Sequence, residues 1–390
     1  MYTVKAVHSD EFRNSRDKWN NLALSMKHPS IFCTWEWIYT WWEYFGNLYD
    51  PLILFIYKNT ELIGIFPLAA RNMIVEDVIL PGRVLSFCGS KELYSDHTDI
   101  ICEESNAPFC MNAAIDFLMS EYRQWDVLHL SYISEDSNFL NLMNTTNTTL
   151  EMDCIQVSSA SYITLSGSFE DYNMSLSKNL KNNLKRTRKK LYDEFAINHT
   201  CFTPDRYPNS IQELFVLHKL RADEKRIKTS FQGKKLMEFH KTVSKLFYEK
   251  GWVRLCFLRK GAEAIAADYG FIFGRRFFAY QAGILPGREF ARAGNVLLHE
   301  VIEEAFRDKL LEFDFLRGGE EYKGSWARES RTLFNINLYN ETFRGTLLKF
   351  AYRTRNRVKK VFNDFIINRK GQHRITERLN LIIIIFITVQ

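Results

Sequence analysis

The spacing of apolar residues divides the first half of the chain into two helices, a hairpin, and further short strands around another helix. Helical spacing and the stop at Gly46 define the first two helices, and apolar runs on either side of Lys58-Asn-Thr60 define the hairpin. In chain order these predicted elements cover residues 10–26, 34–45, 51–57, 61–70, 84–88, 99–102, 108–122 and 125–132.

The second half shows the same order of elements. The segment Lys58–Gly64 resembles Lys260–Ala266, and in each half helices precede this hairpin while a helix and a strand follow it. Two copies of one α/β unit are the economical interpretation. The polar run 144–149 places the boundary between the copies near residues 150–160. The predicted elements here cover residues 162–165, 169–195, 209–250, 252–258, 263–273 and 276–283, followed by a helix from residue 294 and a strand at 313–316.

Composition indicates a globular protein with large aromatic cores. The chain has 390 residues, 46% hydrophobic and 25% charged, with 31 Phe, 18 Tyr and 8 Trp. The seven cysteines are scattered without a Cys-x-x-Cys, which indicates free thiols in a reducing compartment. The same spacing argues against zinc, and we predict no metal site.

The termini predict a cytoplasmic protein without a membrane span. The first residues lack the apolar stretch of a signal peptide. The apolar segment 381–389 is far shorter than the about 20 residues that a spanning helix needs. We interpret it as a peripheral tail with the character of a strand or a sticky end.

The net charge of +6 is modest, but residues 178–190 contain seven Lys or Arg and no acid. Four leucines, at 176, 180, 184 and 191, can pack inward and leave the lysines in water. This helix is either a solvated face or a site for an anionic partner, such as a nucleotide sugar, a lipid-linked sugar, tRNA or a CoA phosphate. No aromatic residue interrupts the basic run, which argues against recognition of bases by stacking.

The loop from Arg288 to Asn295 leads directly into a strongly amphipathic helix. Gly294 would let a ligand approach the backbone, and the first N–H groups of a helix lie at the positive end of its dipole. With Arg288 and Arg292 they form a candidate pyrophosphate cradle. The loop is neither a Walker loop nor a Rossmann fingerprint. The alternative to a binding site is a surface loop that simply precedes a helix beginning at a glycine.

A second group of candidate residues follows the strand at 313–316. Gly318-Gly319 ends this strand, and Glu320, Tyr322, Lys323 and Trp326 come directly after it. Ligands of α/β proteins gather at such strand ends. Each residue also has a purely structural interpretation. Glu320 could be an acid in a turn, Tyr322 and Trp326 could be core aromatics, and Lys323 could be a surface charge.

The order of strand, strand, Arg- and Gly-containing loop, helix and strand resembles the acyl-CoA-binding core of GNAT acetyltransferases. Within that superfamily, the chain from about residue 9 to 340 resembles CelD-type acetyltransferases of cellulose and exopolysaccharide biosynthesis. The motifs that carry this resemblance are Phe313-Asp-Phe-Leu-x-Gly-x-Glu-x-Tyr322-Lys323-x-x-Trp326, Trp37, Leu85-Ser-Phe-x-Gly89 with Ser95-Asp96 and Asp99, and Leu176-Ser-Lys178-Asn-Leu-x-x-Asn183-Leu184-x-Arg186. Lys181 with Asn183 departs from the family, which more often has Arg there.

The resemblance implies an α/β fold of tandem GNAT-like domains, each a mixed twisted sheet flanked by helices. Residues 1–155 would form an N-terminal domain whose ability to bind a ligand the sequence leaves open. Residues 156–345 would form the acyl-CoA-binding domain, and residues 346–390 a basic helical and apolar tail.

The resemblance also implies direct acyl transfer from acetyl-CoA, or another acyl-CoA, to an amine or hydroxyl of a sugar or other small precursor. Glu320 would then be a candidate base, Tyr322 a candidate acid for the leaving thiolate, and Asp268 and Tyr280 reserve candidates. Lys323 and Trp326 would contact substrate, while Arg288, Arg292, Gly294 and Asn295 would bind the CoA.

Two alternatives keep the same architecture. FemAB-type transferases carry two GNAT-like domains and take an aminoacyl group from tRNA, which the basic helix at 178–190 would suit. Apart from that alternative, we expect no nucleic-acid partner. The other is a non-catalytic polysaccharide-assembly protein that holds sugar on its aromatic N-terminal half.

Overall fold

The computed structural model describes residues 2–7, 9–75, 80–143, 151–201, 209–226, 231–287 and 289–368, which form one mixed 13-stranded sheet flanked by helices. The strands are β1 Tyr2–Ala6, β2 Asp50–Lys58, β3 Glu61–Val75, β4 Leu80–Phe87, β5 Ile101–Cys102, β6 Val127–Ser134, β7 Met152–Thr164, β8 Ile197–Cys201, β9 Val253–Lys260, β10 Glu263–Phe273, β11 Arg276–Ile284, β12 Glu312–Arg317 and β13 Glu329–Tyr339. The helices are α1 Ser9–Arg13, α2 Arg16–Ser25, α3 Trp35–Phe45, α4 Ala107–Phe117, α5 Asn138–Met143, α6 Phe169–Ser175, α7 Lys178–Lys189, α8 Asn209–Lys225, α9 Lys234–Glu249, α10 Ala293–Arg307, α11 Lys323–Trp326 and α12 Phe343–Asn368.

The strand order shows that the sheet consists of two similar halves. It runs β1-β2-β3-β4-β6-β13-β7-β12-β11-β10-β9-β8, with β5 beside β3. Each half contains one parallel pair, β4 with β6 and β11 with β12. The halves also exchange a strand, because β7 follows β6 in the chain but pairs with β12, whereas β13 follows β12 but pairs with β6. The predicted duplication of an α/β unit is therefore confirmed.

A shared aromatic core holds the halves together. The fully buried Trp37 ring on α3 packs edge-on against Phe239 on α9, with the ring centroids 5.0 Å apart. Its indole nitrogen donates to Ser95 Oγ at 2.9 Å, so two of the sequence motifs meet in this core. Many of the described aromatic side chains are buried in such cores, as the composition predicts.

Both predicted hairpins form with the expected turns, but two other predictions need correction. The helix predicted at 10–26 is split into α1 and α2, because Ser15 Oγ donates to Phe12 O at 2.7 Å and competes with the helical pattern. The strand predicted at 99–102 is reduced to β5, because the Asp99 carboxylate accepts from the backbone N–H of Ile100 at 2.8 Å and so competes with strand pairing there.

The predicted domain boundary at 155/156 falls within β7. This strand pairs with β12 on one side and with β13 on the other. The polar run 144–149 and the apolar segment 381–389 lie outside the described residues. Within the part of the chain that the structure describes, no helix is long and apolar enough to cross a membrane.

Candidate functional site

The candidate site is a cavity of about 870 Å³ that opens where β11 and β12 separate. These parallel strands pair over only three positions, from Arg276 with Glu312 to Phe278 with Asp314. Beyond them the two strands diverge, and both of their carboxyl ends line the cavity together with α8, the start of α10 and the β12–α11 turn. Eight of the residues predicted from the sequence line it, namely Asp268, Tyr280, Arg292, Gly294, Asn295, Glu320, Tyr322 and Lys323.

Tyr280 lies at a β-bulge in β11, where Gln281 and Ala279 face consecutive residues of β10 and Tyr280 has no partner in the β10 register. Such bulges redirect side chains and recur beside active sites. The Tyr280 hydroxyl donates to the backbone oxygen of Leu93 at 2.8 Å, and burial raises its pKa. Because this proton is directed to a main-chain oxygen of the N-terminal half, Tyr280 also ties the two halves together at the cavity wall.

The start of α10 forms one end of the cavity. Arg292 caps the helix in the left-handed conformation, with φ of 73°, and its Nη1 donates to Asn183 Oδ1 on α7 at 2.7 Å. A Cβ added at Gly294 would meet only Ile284 Cδ1, at 3.9 Å, so the space above this residue is open. The helix N-terminus is thus accessible to an anion. Arg288, the other predicted member of the cradle, lies outside the described residues.

Asp268 is a buried carboxylic acid in the cavity wall. It is 8% exposed, and its Oδ1 has no hydrogen-bond partner among the described residues. Burial raises the pKa of Asp268 to about 7, and the nearby Cys201 and Glu304 act in the same direction. An unpaired carboxyl group with a pKa near neutrality is suited to accept a proton from a substrate.

Glu320 and Lys323 also line the cavity and form an ion pair, with Lys323 Nζ 2.9 Å from Glu320 Oε2. Lys323 Nζ also donates to the backbone oxygens of Leu316 and Arg317, at 3.2 and 2.8 Å, so all three of its N–H groups have partners. Partial burial opposes ionisation of Glu320, but the hydrogen bond and charge of Lys323, a backbone hydrogen bond and the charge of Arg221 together outweigh it and lower the pKa of Glu320. The lowered pKa makes Glu320 a weaker base than Asp268. The hydrogen bonds of Lys323 stabilise the β12–α11 turn.

Tyr322 and Trp326 have opposite environments. Tyr322 lines the cavity and is 44% exposed, and partial burial together with Glu320 and Asp268 raises its pKa to about 12. Its phenol therefore keeps its proton at neutral pH. Trp326 is 3% exposed and belongs to the core beneath α10, and its backbone oxygen accepts from the Tyr172 hydroxyl at 3.0 Å. The structure thus places Trp326 in the core rather than at the cavity, against its predicted contact with substrate.

Several cavity residues were not predicted from the sequence. Arg317 occupies a position that the motif left variable, and its guanidinium lies over the Tyr132 ring at 3.9 Å. Asp96 belongs to a motif but had been given no role. The remaining unpredicted residues that matter here are Tyr94 from the N-terminal half and His218 and Arg221 from α8. These residues come from distant parts of the chain. The Ser95-Asp96 motif is the one sequence signal that could have indicated that the N-terminal half contributes to the cavity.

One group of side chains could hold a metal ion, although the sequence predicts no metal site. His199, Cys201, Cys256 and Glu304 bring potential ligand atoms within 4.8 Å of one another. The sequence concealed this group because its members come from three separate elements without the spacing of a zinc motif.

Comparison with known proteins identifies the domain that carries the cavity. Residues 178–324 match the family described as "Acetyltransferase (GNAT) domain". No curated protein matches the chain.

Three solved structures share the fold. FemX has a TM-score of 0.64 and 9% identity over 90% of this chain and all of its own. A conserved protein of unknown function from Bacteroides thetaiotaomicron VPI-5482 has a TM-score of 0.54 and 10% identity over 87% of this chain and all of its own. The C-terminal domain (DUF2156) of a putative lysylphosphatidylglycerol synthetase from Agrobacterium fabrum has a TM-score of 0.53 and 8% identity over 86% of this chain and 96% of its own. At these identities the likeness shows the fold alone. The family match shows a GNAT-type acetyltransferase domain at residues 178–324, and this domain supports an acyltransferase activity for the chain.

Proposed function

We propose that the protein transfers an acyl group, most simply acetyl, from acyl-CoA to an amine or hydroxyl of a sugar or another precursor of polysaccharide biosynthesis. The observation that carries this proposal is the single cavity that joins an open helix N-terminus to Asp268 and Tyr322. The start of α10 and Arg292 would hold the pyrophosphate of CoA, and the thioester would lie between β11 and β12.

In the proposed reaction the acceptor attacks the thioester carbonyl carbon directly. Asp268 takes the proton that the acceptor loses, and the new bond from acceptor to carbonyl carbon forms as the carbon–sulfur bond breaks. Tyr322 donates its proton to the leaving thiolate and regains one from solvent. Burial of Asp268 disfavours its charged form, which keeps its carboxyl group poised between charged and neutral forms.

The sugar or polysaccharide acceptor rests on the CelD-type resemblance of the 313–326 motif. We expect the purified protein to release free CoA from acetyl-CoA faster when amino sugars or nucleotide sugars are supplied than without an acceptor. Mass spectrometry of the products would identify the acylated atom. If none of a broad acceptor panel is acylated while aminoacyl-tRNA is consumed, the proposal is wrong.

A second candidate is transfer of an aminoacyl group from tRNA, because the fold is shared with FemX. The exposed basic face of α7 favours it, since Leu180 and Leu184 pack inward and Lys178, Lys185 and Lys189 face solvent. Binding of tRNA would weaken steeply with salt, whereas acetyl-CoA binding would depend on salt only weakly. Replacing the three lysines by Gln should abolish tRNA binding and spare acetyl-CoA binding, which separates the two candidates.

A further inference from the structure

A compact group of metal-ligand side chains lies on the outer part of the C-terminal half. Cys201 on the edge strand β8 is directly opposite Cys256 on β9, and His199 lies two residues before Cys201 and so on the same face. The helix α10 packs against this region of the sheet and contributes Glu304. Three elements therefore place two thiols, an imidazole and a carboxylate at one point.

The separations between these groups are close to those of a tetrahedral zinc centre. Bond lengths of about 2.0–2.3 Å imply ligand-to-ligand distances of roughly 3.3–3.8 Å. Cys201 Sγ lies 3.6 Å from His199 Nε2 and 3.6 Å from Glu304 Oε1. Cys256 Sγ lies 4.0 Å from Glu304 Oε2. Small side-chain rotations suffice to bring all four onto one ion.

The surroundings supply what a ligating histidine ordinarily has. With His199 Nε2 directed to the centre, its Nδ1 lies 3.6 Å from Glu300 Oε2 and 3.8 Å from Glu304 Oε1. Glu300 is fixed in turn by the Tyr192 hydroxyl, which donates to both carboxylate oxygens at 2.8 and 2.9 Å. A carboxylate behind the imidazole sets the tautomer and orientation of the ring in metal centres.

Charge and access also suit a cation. Two thiolates and one carboxylate around Zn²⁺ would leave a net charge of −1, and Arg307 Nη2 lies 3.6 Å from Glu304 Oε1 to offset it. Cys256 is fully buried, whereas the side chains of His199 and Glu304 are 21% and 14% exposed, so an ion can enter from the surface. None of the four ligands is among the described residues that line the catalytic cavity.

We propose that His199, Cys201, Cys256 and Glu304 form a structural Zn²⁺ site that fixes the edge strand β8 to β9 and α10. Four protein ligands close the coordination sphere, as in structural rather than catalytic zinc sites. The site would thereby support α10, whose first turn lines the cavity. This inference does not depend on which substrate the enzyme uses.

The test uses the full chain, kept reduced and treated with a chelator, then titrated with Co²⁺ as a spectroscopic probe. We expect one equivalent to bind, with thiolate-to-cobalt charge-transfer absorption and the visible bands of tetrahedral cobalt, and Zn²⁺ should displace it. Chelation should lower the melting temperature and Zn²⁺ should restore it, because metal binding is coupled to folding. C201S and C256S should each weaken Co²⁺ binding at least about tenfold, because even the loss of a residue that only hydrogen-bonds a metal ligand typically costs that much affinity.

The matched control is C154S, which changes an exposed cysteine on β7 and should leave the cobalt spectrum unchanged. H199Q and E304Q alter less buried ligands and keep the test valid if C256S fails to fold. Cobalt bands that survive in all four ligand variants would overturn the proposal. So would a reduced protein that takes up no metal but forms a Cys201–Cys256 disulfide in air, because the pair would then be a redox couple.

Discussion

The backbone N–H of Arg317 donates to Asp96 Oδ2 at 2.9 Å, and Arg317 Nε lies 3.2 Å from Asp96 Oδ1. Asp96 belongs to the N-terminal half, whereas Arg317 ends β12 in the C-terminal half. Leu316, immediately before Arg317, has a positive φ of 56°, so the strand end is held in a conformation that a β-strand residue rarely adopts. One half of the molecule thus shapes the cavity of the other.

This relationship predicts strong coupling between the two residues. Asp96→Asn should lower the free energy of unfolding by about 3–5 kcal/mol, because it leaves a buried guanidinium without its counter-charge. Adding Arg317→Met should recover part of that loss, with a coupling energy of about 1–3 kcal/mol in a double-mutant cycle measured by urea unfolding. Additive effects of the two substitutions would show that the pair does not join the halves.

Asp268→Asn should abolish most of the acyl transfer without impairing the binding of acetyl-CoA. We expect turnover to fall about 10²–10⁴-fold while acetyl-CoA affinity stays within about twofold, since only the proton acceptor is lost. The free energy of unfolding at pH 8 should rise by on the order of 1 kcal/mol, because the buried charge is gone. Loss of stability together with activity would instead indicate a structural role for Asp268.

The raised pKa of Asp268 also fixes the direction of the pH dependence. Its folded pKa of about 7 exceeds the unfolded value of about 3.9, so the folded state binds the extra proton between these pH values. Its contribution to stability therefore falls as the pH rises through this window. Activity should change in the opposite direction and rise from pH 6 to 8. An activity profile that is flat over this range would exclude Asp268 as the base.

Tyr322→Phe and Glu320→Gln separate the two groups at the end of β12. Tyr322→Phe should lower turnover at least about tenfold with little change in melting temperature, because the ring is half-exposed and only its proton is lost. Glu320→Gln should have a smaller effect on turnover, since its ion pair with Lys323 already disfavours proton uptake. The measurements are melting temperature, acetyl-CoA affinity and turnover for both proteins. Normal turnover in Tyr322→Phe would place the proton donor elsewhere.

Trp326 should behave as a core residue. Trp326→Ala is expected to destabilise the protein by about 3–5 kcal/mol, because it opens a cavity beneath α10. Trp326→Phe should keep most of the stability and nearly normal affinity for substrates. A large loss of substrate affinity in a stable Trp326→Phe protein would restore the predicted contact with substrate.

Local chemistry made much of the fold predictable. Thr34 caps α3 as its position before the aromatic helix indicated, and Lys58 pairs with Glu61 across the predicted turn. The exchange of β7 and β13 between the halves was not predictable, because strand pairing across such distances leaves no local pattern. The same limit hid the contact between Asp96 and Arg317 and the metal-ligand group, because these residues become neighbours only when the sheet forms.

The candidate site was predictable where it lies on one continuous motif. The segment from Gly318 to Lys323 does line the cavity with Glu320, Tyr322 and Lys323, and Gly294 does open α10 towards it. What sequence could not provide is the environment of each group. Burial distinguishes Asp268 from Glu320, and the three hydrogen-bond partners of Lys323 are visible only in the folded protein.

Acetyl-CoA binding to a graded series at position 294, measured by isothermal titration calorimetry, tests the central claim most directly. The space above Gly294 is open, so Gly294→Ala and Gly294→Val should both fold with unchanged melting temperatures. Affinity should fall stepwise, with Val costing most of it, because each methyl group blocks approach of the pyrophosphate to the first turn of α10. Gly319→Val adds the same side chain at another open position outside the cavity lining and should bind normally. Unchanged acetyl-CoA affinity in a folded Gly294→Val protein would contradict the account.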